Sequence, residues 1–198
     1  MRSEGPALLP LFRSQHQAEL LMWLYLHPGT EYGVSELAER LGVPLSTLHR
    51  EVVRLDHAAL VKSRTLGRNR LIRANPDHPA AEPLTRLLQV SLGPRVVIAE
   101  EFGIAGATVV LVFGSWAARY EGEHGPPPND IDVLVVGTVD RQDVYAAADR
   151  AAARLGMEVN PVVRSAAQWS GGTDALVAQI KASSHVTVLD AGASESAS

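Results

Sequence analysis

The chain has 198 residues, 46% hydrophobic and 20% charged, with a formal net charge of −4, the make-up of one or two globular domains rather than of a disordered or fibrous polypeptide. Cysteine is absent, which excludes disulfides and thiolate metal sites and suits a reducing compartment. No apolar run reaches the roughly 18 residues of a spanning helix, and residues 1–6 lack the layout of a secretory leader, so a cytoplasmic protein with no membrane partner is expected.

The overall charge hides an asymmetry. Residues 1–80 carry ten Lys/Arg against eight Asp/Glu, and residues 81–198 carry eight against fourteen. Between Arg40 and Arg73, eight basic residues face only Glu51 and Asp56, a net of +6 in 34 residues. Such a cluster suits a polyanion.

Apolar residues at helical spacing (Leu20, Leu21, Trp23, Leu24) predict a helix from Gln15 to Leu26, closed by His27-Pro28-Gly29. Val34–Leu41 reads as a second helix, with Ser35 as N-cap and Leu37, Ala38 and Leu41 inward. Gly42-Val43-Pro44 is a tight break. A third helix then runs from about Leu45 to Leu60, with Leu48, Val52, Val53 and Leu55 inward and Ser46, Thr47, His49 and Arg50 outward. Two helices joined by a short Gly-containing turn are the helix-turn-helix outline, whose second helix enters the major groove. The four outward residues can donate to phosphates and base edges. Residues 60–64 and 70–76 read as strands around a Leu66-Gly67-Arg68-Asn69 turn, a wing with Arg68 and Arg70 at its tip.

The segments SELAERLGVPLSTLHREVVRL and LVKSRTLGRNRLIRANP resemble the winged-helix domains of ArsR-like and MarR-like repressors over residues 14–78. The resemblance implies a double-stranded DNA partner and transcription regulation. A winged helix that makes only protein contacts is the other reading. Residues 79–104 read as two helices broken near Gly93-Pro94, with Leu84, Leu87, Leu88 and Val90 on the first and Val96, Val97, Ile98 and Phe102 on the second. They either build a homodimer, the usual state of such a DNA reader, or pack on the C-terminal sheet.

Farther on, Ala107–Phe113 is short, continuous and β-branched, hence a buried strand. Gly114-Ser115 turns into a helix ending near Glu121, and residues 122–129 (GEHGPPPN) form a rigid loop. Asp130–Val136 is a second buried strand, Asp140–Leu155 a helix, Met157–Val163 a third strand, Leu176–Lys181 a helix and Val186–Leu189 a short strand. Alternating strands and helices predict an α/β layer.

On the second strand, Asp130 and Asp132 share a face because strand side chains alternate. Mg²⁺ takes one or two protein carboxylates together with phosphate oxygens and water. Gly114 lets backbone approach a phosphate, and Ser115 adds a hydroxyl and an N–H at a helix start. A carboxylate pair beside such a corner is the outline of nucleotidyl transfer. Arg119 and Lys181 read as exposed helix cations rather than triphosphate ligands, Trp116 and Trp169 as core residues rather than base-stacking platforms, and His124 as solvent-exposed. No His pair stands at metal-binding spacing, so no zinc is expected.

The array LVFGSWAARYEGEHGPPPNDIDVLVVG, residues 111–137, resembles the DNA polymerase β-like superfamily, most of all its minimal nucleotidyltransferases. The resemblance implies an NTP (ATP first) and Mg²⁺ as cofactors, with Gly114 and Ser115 on the nucleotide and Asp130 and Asp132 on the metal. It also implies a third acid on the following strand, where Glu158 and Asn160 share a face. Glu158 leaves the catalytic set intact; Asn160 in that place removes the general base and a metal ligand. The spacer before Asp130 is longer and richer in proline than the family pattern.

The predicted fold class is therefore a two-domain α+β or α/β chain: a winged helix over residues 1–78, a helical connector over 79–104, a nucleotidyltransferase-like mixed sheet with flanking helices over 105–190 and a disordered tail over 191–198. The expected function is a DNA-binding regulator with an NTP–Mg²⁺ site that transfers NMP. The alternatives are an antitoxin-type enzyme that adenylylates a partner protein such as a toxin, and an inactive nucleotide sensor.

Overall fold

The computed structural model describes residues 11–172 and 174–191. The readings of residues 1–6 and of the tail beyond 191 lie outside them. The chain divides into two units, the first ending at Gly93 and the second beginning at Pro94, so the two helices read as a connector fall on either side of the division.

In the first unit, α1 (Gln15–Leu26) starts at Ser14, whose hydroxyl accepts from the Gln17 N–H at 3.2 Å. Ala18 and every residue from Leu20 to Tyr25 are buried, because α4 (Ala81–Leu92) covers a further side of α1. The two-residue strand β1 (Tyr32–Gly33) follows; it is too short to leave a periodic signal in the sequence. It leads directly into α2 (Val34–Arg40), whose start is set by Gly33 and by the Glu36 carboxylate accepting the Gly33 N–H at 3.4 Å. Ser35 thus lies inside the first turn and is not the N-cap expected of it.

Helix α3 (Leu45–His57) buries Leu48, Val52 and Leu55. Val53, expected inward, is 43% exposed, and Glu51 is buried instead, at 4%. Positions 48, 51, 52 and 55 share one face at 3.6 residues per turn, whereas 53 points about 100° away from 52. The helix ends earlier than Leu60 because Ala59 turns the chain with φ at 55°. Strands β2 (Val61–Leu66) and β3 (Asn69–Ala74) form the wing. Leu66 pairs with Asn69, so the loop is Gly67-Arg68, and Gly67 at φ 61° supplies the positive φ that a tight primed hairpin turn demands. With β1 beside β3 the sheet order is β1-β3-β2, a winged helix.

The second unit runs α5 (Pro94–Glu101), β4 (Ala107–Phe113), α6 (Gly114–Tyr120), β5 (Asp130–Gly137), α7 (Arg141–Leu155), β6 (Glu158–Arg164), α8 (Ala166–Gly171), α9 (Ala175–Ala182) and β7 (His185–Asp190). Its sheet is mixed, in the order β6-β5-β4-β7: β5 and β6 are parallel, while β4 is antiparallel to both β5 and β7. Ile131, Val133, Leu134 and Val135 are fully buried, so β5 has cover on both faces. Each such side chain contributes about 1.5–3 kcal/mol. Ile131, Val133 and Val110 pack with α7 residues Val144, Ala147 and Ala151. On the opposite face Leu111 and Leu134 pack with Ile180 of α9. Helix α8 had no apolar periodicity to announce it; it is set by a capping box in which Ser165 and Gln168 exchange hydrogen bonds.

Candidate functional site

The first unit presents Ser46, His49 and Arg50 to solvent on α3, with Thr47 half-buried and accepting from Arg50 at 3.4 Å. A groove of about 320 Å³ lies between His49, the start of α2 and the wing from Arg68 to Leu71. His49, Arg68 and Arg70 are thereby brought to one groove. Arg68 is exposed, but Arg70 is a brace: it donates to Asp56 of α3 at 2.8 Å and to Ser63 of β2 at 3.1 Å.

The basic cluster is more neutralised than its composition implies. Arg40 pairs with Glu36, Arg54 with Glu51, Lys62 with Asp77, Arg64 with Glu31 and Arg70 with Asp56. Three of those acids lie outside the window counted in the sequence. Arg64, by hydrogen bond and charge, holds the Glu31 carboxyl below its usual range. Such exposed pairs are worth at most about 1 kcal/mol each, but they decide which cations remain for a polyanion. Among the described residues Arg50, Arg68 and Arg73 make no ion pair.

In the second unit the chain turns sharply where β4 gives way to α6. Gly114 has φ at 75°, and a Cβ there would lie 2.6 Å from Oδ2 of Asp132. Only glycine lets the backbone pass so close to that carboxylate. Phe113 is in register with Asp132 across β4 and β5, and β5 sets Asp130 opposite Glu158 and Asp132 opposite Asn160 of β6. All four polar residues therefore share one sheet face. The Asn160 amide donates to Asp130 Oδ2 at 3.0 Å. Burial, and then the neighbouring Asp130 charge, push the Asp132 carboxyl above its usual range, with the Asn160 amide pulling the other way.

Beside this pair lies a cleft of about 420 Å³, bounded by the Gly114-Ser115 corner, Asp132, Glu123 of the loop, Gln179 of α9 and Ser184 just before β7. Ser115 is exposed into solvent at its mouth. Among the described residues no Lys, Arg or His lines the cleft, and neither aspartate has a cationic partner. Two half-buried carboxylates without a cationic partner, one of them held by a neutral amide, form a donor set that fits one divalent cation of the oxygen-loving kind. Glu158 is exposed at the start of β6, and among the described residues no three His, Cys, Asp or Glu side chains gather to hold a metal.

No protein-family profile matches the sequence, nor does any curated protein. Among solved structures the chain is similar to reduced HlyU from Vibrio cholerae N16961, at 22% identity over 42% of this chain and 82% of that one, TM-score 0.35. It is similar to a point mutant of Lactococcus lactis ZitR, at 19% identity over 52% of this chain and 66% of that one, TM-score 0.36. A chain of the complex between tri-AMPylated Shewanella oneidensis HEPN toxin and MNT antitoxin matches at 14% identity over 52% of this chain and 77% of that one, TM-score 0.32. These likenesses are partial, and the function rests on this chain's own residues.

Arg119, Lys181 and Trp116 have local tasks. Arg119 donates to the Glu123 carbonyl and packs on Gly125, anchoring the proline loop rather than facing the cleft. Lys181 donates to the Trp169 carbonyl and sits 4.4 Å above that ring. Trp116 is buried and stacks on Tyr120. The cleft residues Glu123, Gln179 and Ser184 were not singled out in the sequence. They are far apart along the chain, and only the β4–β7 pairing brings Ser184 beside the glycine corner.

Proposed function

We propose that this chain is a DNA-binding regulator whose second unit binds a divalent cation–nucleoside triphosphate complex and transfers its nucleotidyl group. The observation that carries the proposal is the Asp130–Asp132 pair at the wall of a cleft closed by the Gly114 corner, with no protein cation among the described residues to balance either the carboxylates or a polyphosphate. Asp130 and Asp132 would hold Mg²⁺, which when bound supplies the positive charge that the cleft lacks and polarises phosphoryl oxygens. Gly114 lets the chain turn tightly against the Asp132 carboxylate, and Ser115 offers a hydroxyl at the same corner. The size of the cleft suits one small ligand. For the first unit, Arg50 and Arg68 would meet phosphates, with Ser46, Thr47 and His49 nearest the base edges.

Transfer to a partner protein, as in an antitoxin-type enzyme, is one form of this reading. Asn160 favours a second: a neutral amide opposite Asp132 can orient Asp130 but cannot take a proton from an acceptor hydroxyl. On that reading the unit binds nucleotide as a signal and transfers nothing. The test is equilibrium binding of ATP, GTP, CTP and UTP with and without Mg²⁺, then release of pyrophosphate. Metal-dependent binding supports the site, pyrophosphate release supports transfer, and binding without release supports the sensor. Absence of any binding, with Mg²⁺ present, removes the nucleotide half of the proposal.

A further inference from the structure

The strand next to the aspartates, β6, sets an amide, Asn160, opposite Asp132. The cleft nevertheless contains a carboxylate already holding a hydroxyl. Ser184 Oγ donates to Glu123 Oε1 at 2.5 Å, across 61 residues of chain. Both line the same cleft as Asp132, Gly114 and Ser115. Their positions follow from register. Phe113 is opposite Asp132 on one side and opposite His185 on the other, so Ser184 lies one residue past that row, alongside Gly114. It is two strand spacings, about 10 Å, from the aspartate strand, with the glycine corner between them. A phosphate chain held at that corner has a carboxylate pair on one side and a carboxylate-bound serine on the other.

The pair is also held in place. Glu123 belongs to the loop anchored by Arg119, whose guanidinium donates to the Glu123 carbonyl. Ser184 directly precedes β7. A serine oriented by a fixed carboxylate is the arrangement that activates a weak nucleophile.

We infer that Ser184 is an acceptor of the nucleotidyl group, with Glu123 as its base, so that the chain modifies itself. The inference rests on the nucleotidyl-transfer reading of the site. In the step, Ser184 Oγ attacks the α-phosphorus of the nucleoside triphosphate. The new O–P bond forms as the bond from that phosphorus to the bridging oxygen of pyrophosphate breaks. The hydroxyl proton passes to the Glu123 carboxylate, and pyrophosphate leaves with its negative charge. The product is a phosphodiester on Ser184, which fills the cleft and blocks a second turnover. The modification is therefore stoichiometric and is retained by the protein.

The experiment uses the full chain with Mg²⁺ and α-labelled ATP, and the other three NTPs in parallel. Binding is first measured on the wild-type protein with an ATP analogue that cannot be cleaved between the α- and β-phosphates, and hydrogen exchange is followed in its presence. Slower exchange at residues 113–118 and 183–187 is expected. Intact mass and peptide mapping then locate any adduct. One nucleotidyl group per chain on Ser184 is expected. It should be lost in Ser184→Ala, lowered at least tenfold in Glu123→Gln, partly restored in Ser184→Thr and unchanged in Ser170→Ala, with a thermal melt checking the fold of each variant. Analogue binding without an adduct, or an adduct on another residue, overturns the inference and leaves nucleotide binding standing. Failure of the analogue to bind overturns both.

Discussion

The two units carry charge in opposite ways. The first spreads eight basic residues over a helix and a wing and then ties five of them to acids. The second concentrates two carboxylates on one strand face and, among the described residues, gives them no cation at all. A surface that meets a long polyanion gains from many weak, adjustable contacts, and its braces, such as Arg70 to Asp56, fix the wing's shape. A site that grips one metal needs uncompensated charge held rigidly, at a cost in stability. The raised Asp132 carboxyl is the sign of that cost. On the proposed function, charge left unpaired by the fold is what acts in both units: Arg50 and Arg68 in one, Asp130 and Asp132 in the other.

The sharpest way to break this contrast is to remove the carboxylates. Asp130→Ala with Asp132→Ala should lower metal-dependent nucleotide binding and transfer by about a thousandfold or more, measured by calorimetry and label incorporation, while DNA binding by the full chain stays as it was. Retained nucleotide binding would end the assignment. Next in size, Leu48→Ala, fully buried beneath the exposed face of α3, should cost about 2–5 kcal/mol of first-unit stability in denaturant titration and leave ATP binding intact.

Gly114→Ala combines a positive φ with a Cβ 2.6 Å from Asp132 Oδ2. It should cost about 1–3 kcal/mol and abolish nucleotide binding even where the fold survives. Smaller still, Arg50→Ala and Arg68→Ala should each lower the slope of log K against log salt by about one. Arg70→Ala should change it less, because its charge is already met by Asp56. Equal effects of all three would mean that the ion pairs do not select the free cations.

The smallest effect is in pH. The folded Asp132 pKa lies above the unfolded value, so the native state binds the extra proton, and the ligand-free chain gains stability as pH falls through that raised pKa and loses it as pH rises. Asp132→Asn should therefore give a small rise in melting temperature near neutral pH and flatten this dependence. Metal affinity should fall over the same acid range, because a proton competes for the carboxylate.

Local sequence signals were enough for most elements. The helical spacing of Leu20 to Leu24, the β-branched run Ala107–Phe113 and the Asp-x-Asp strand each specify their own conformation within a few residues, because period and propensity are local properties. So is the shared face of Asp130 and Asp132, which follows from strand alternation alone. What lacked a local signal was missed: β1 is set by pairing with Ile72 and Leu71 of β3, α8 by its capping box, and the burial of Glu51 by Arg13 and Arg54.

The amino-acid order by itself thus determined the two kinds of domain, the helix-turn-helix with its wing and the paired aspartates next to a glycine-serine corner. Only the tertiary structure decided which basic residues stay unpaired, that Asn160 rather than an acid stands opposite Asp132, and that Glu123 meets Ser184 in the same cleft. The physical reason is range: backbone periodicity is set by neighbours three or four positions away, whereas ion pairing, strand register and the burial of a carboxylate depend on groups brought together from tens of residues apart.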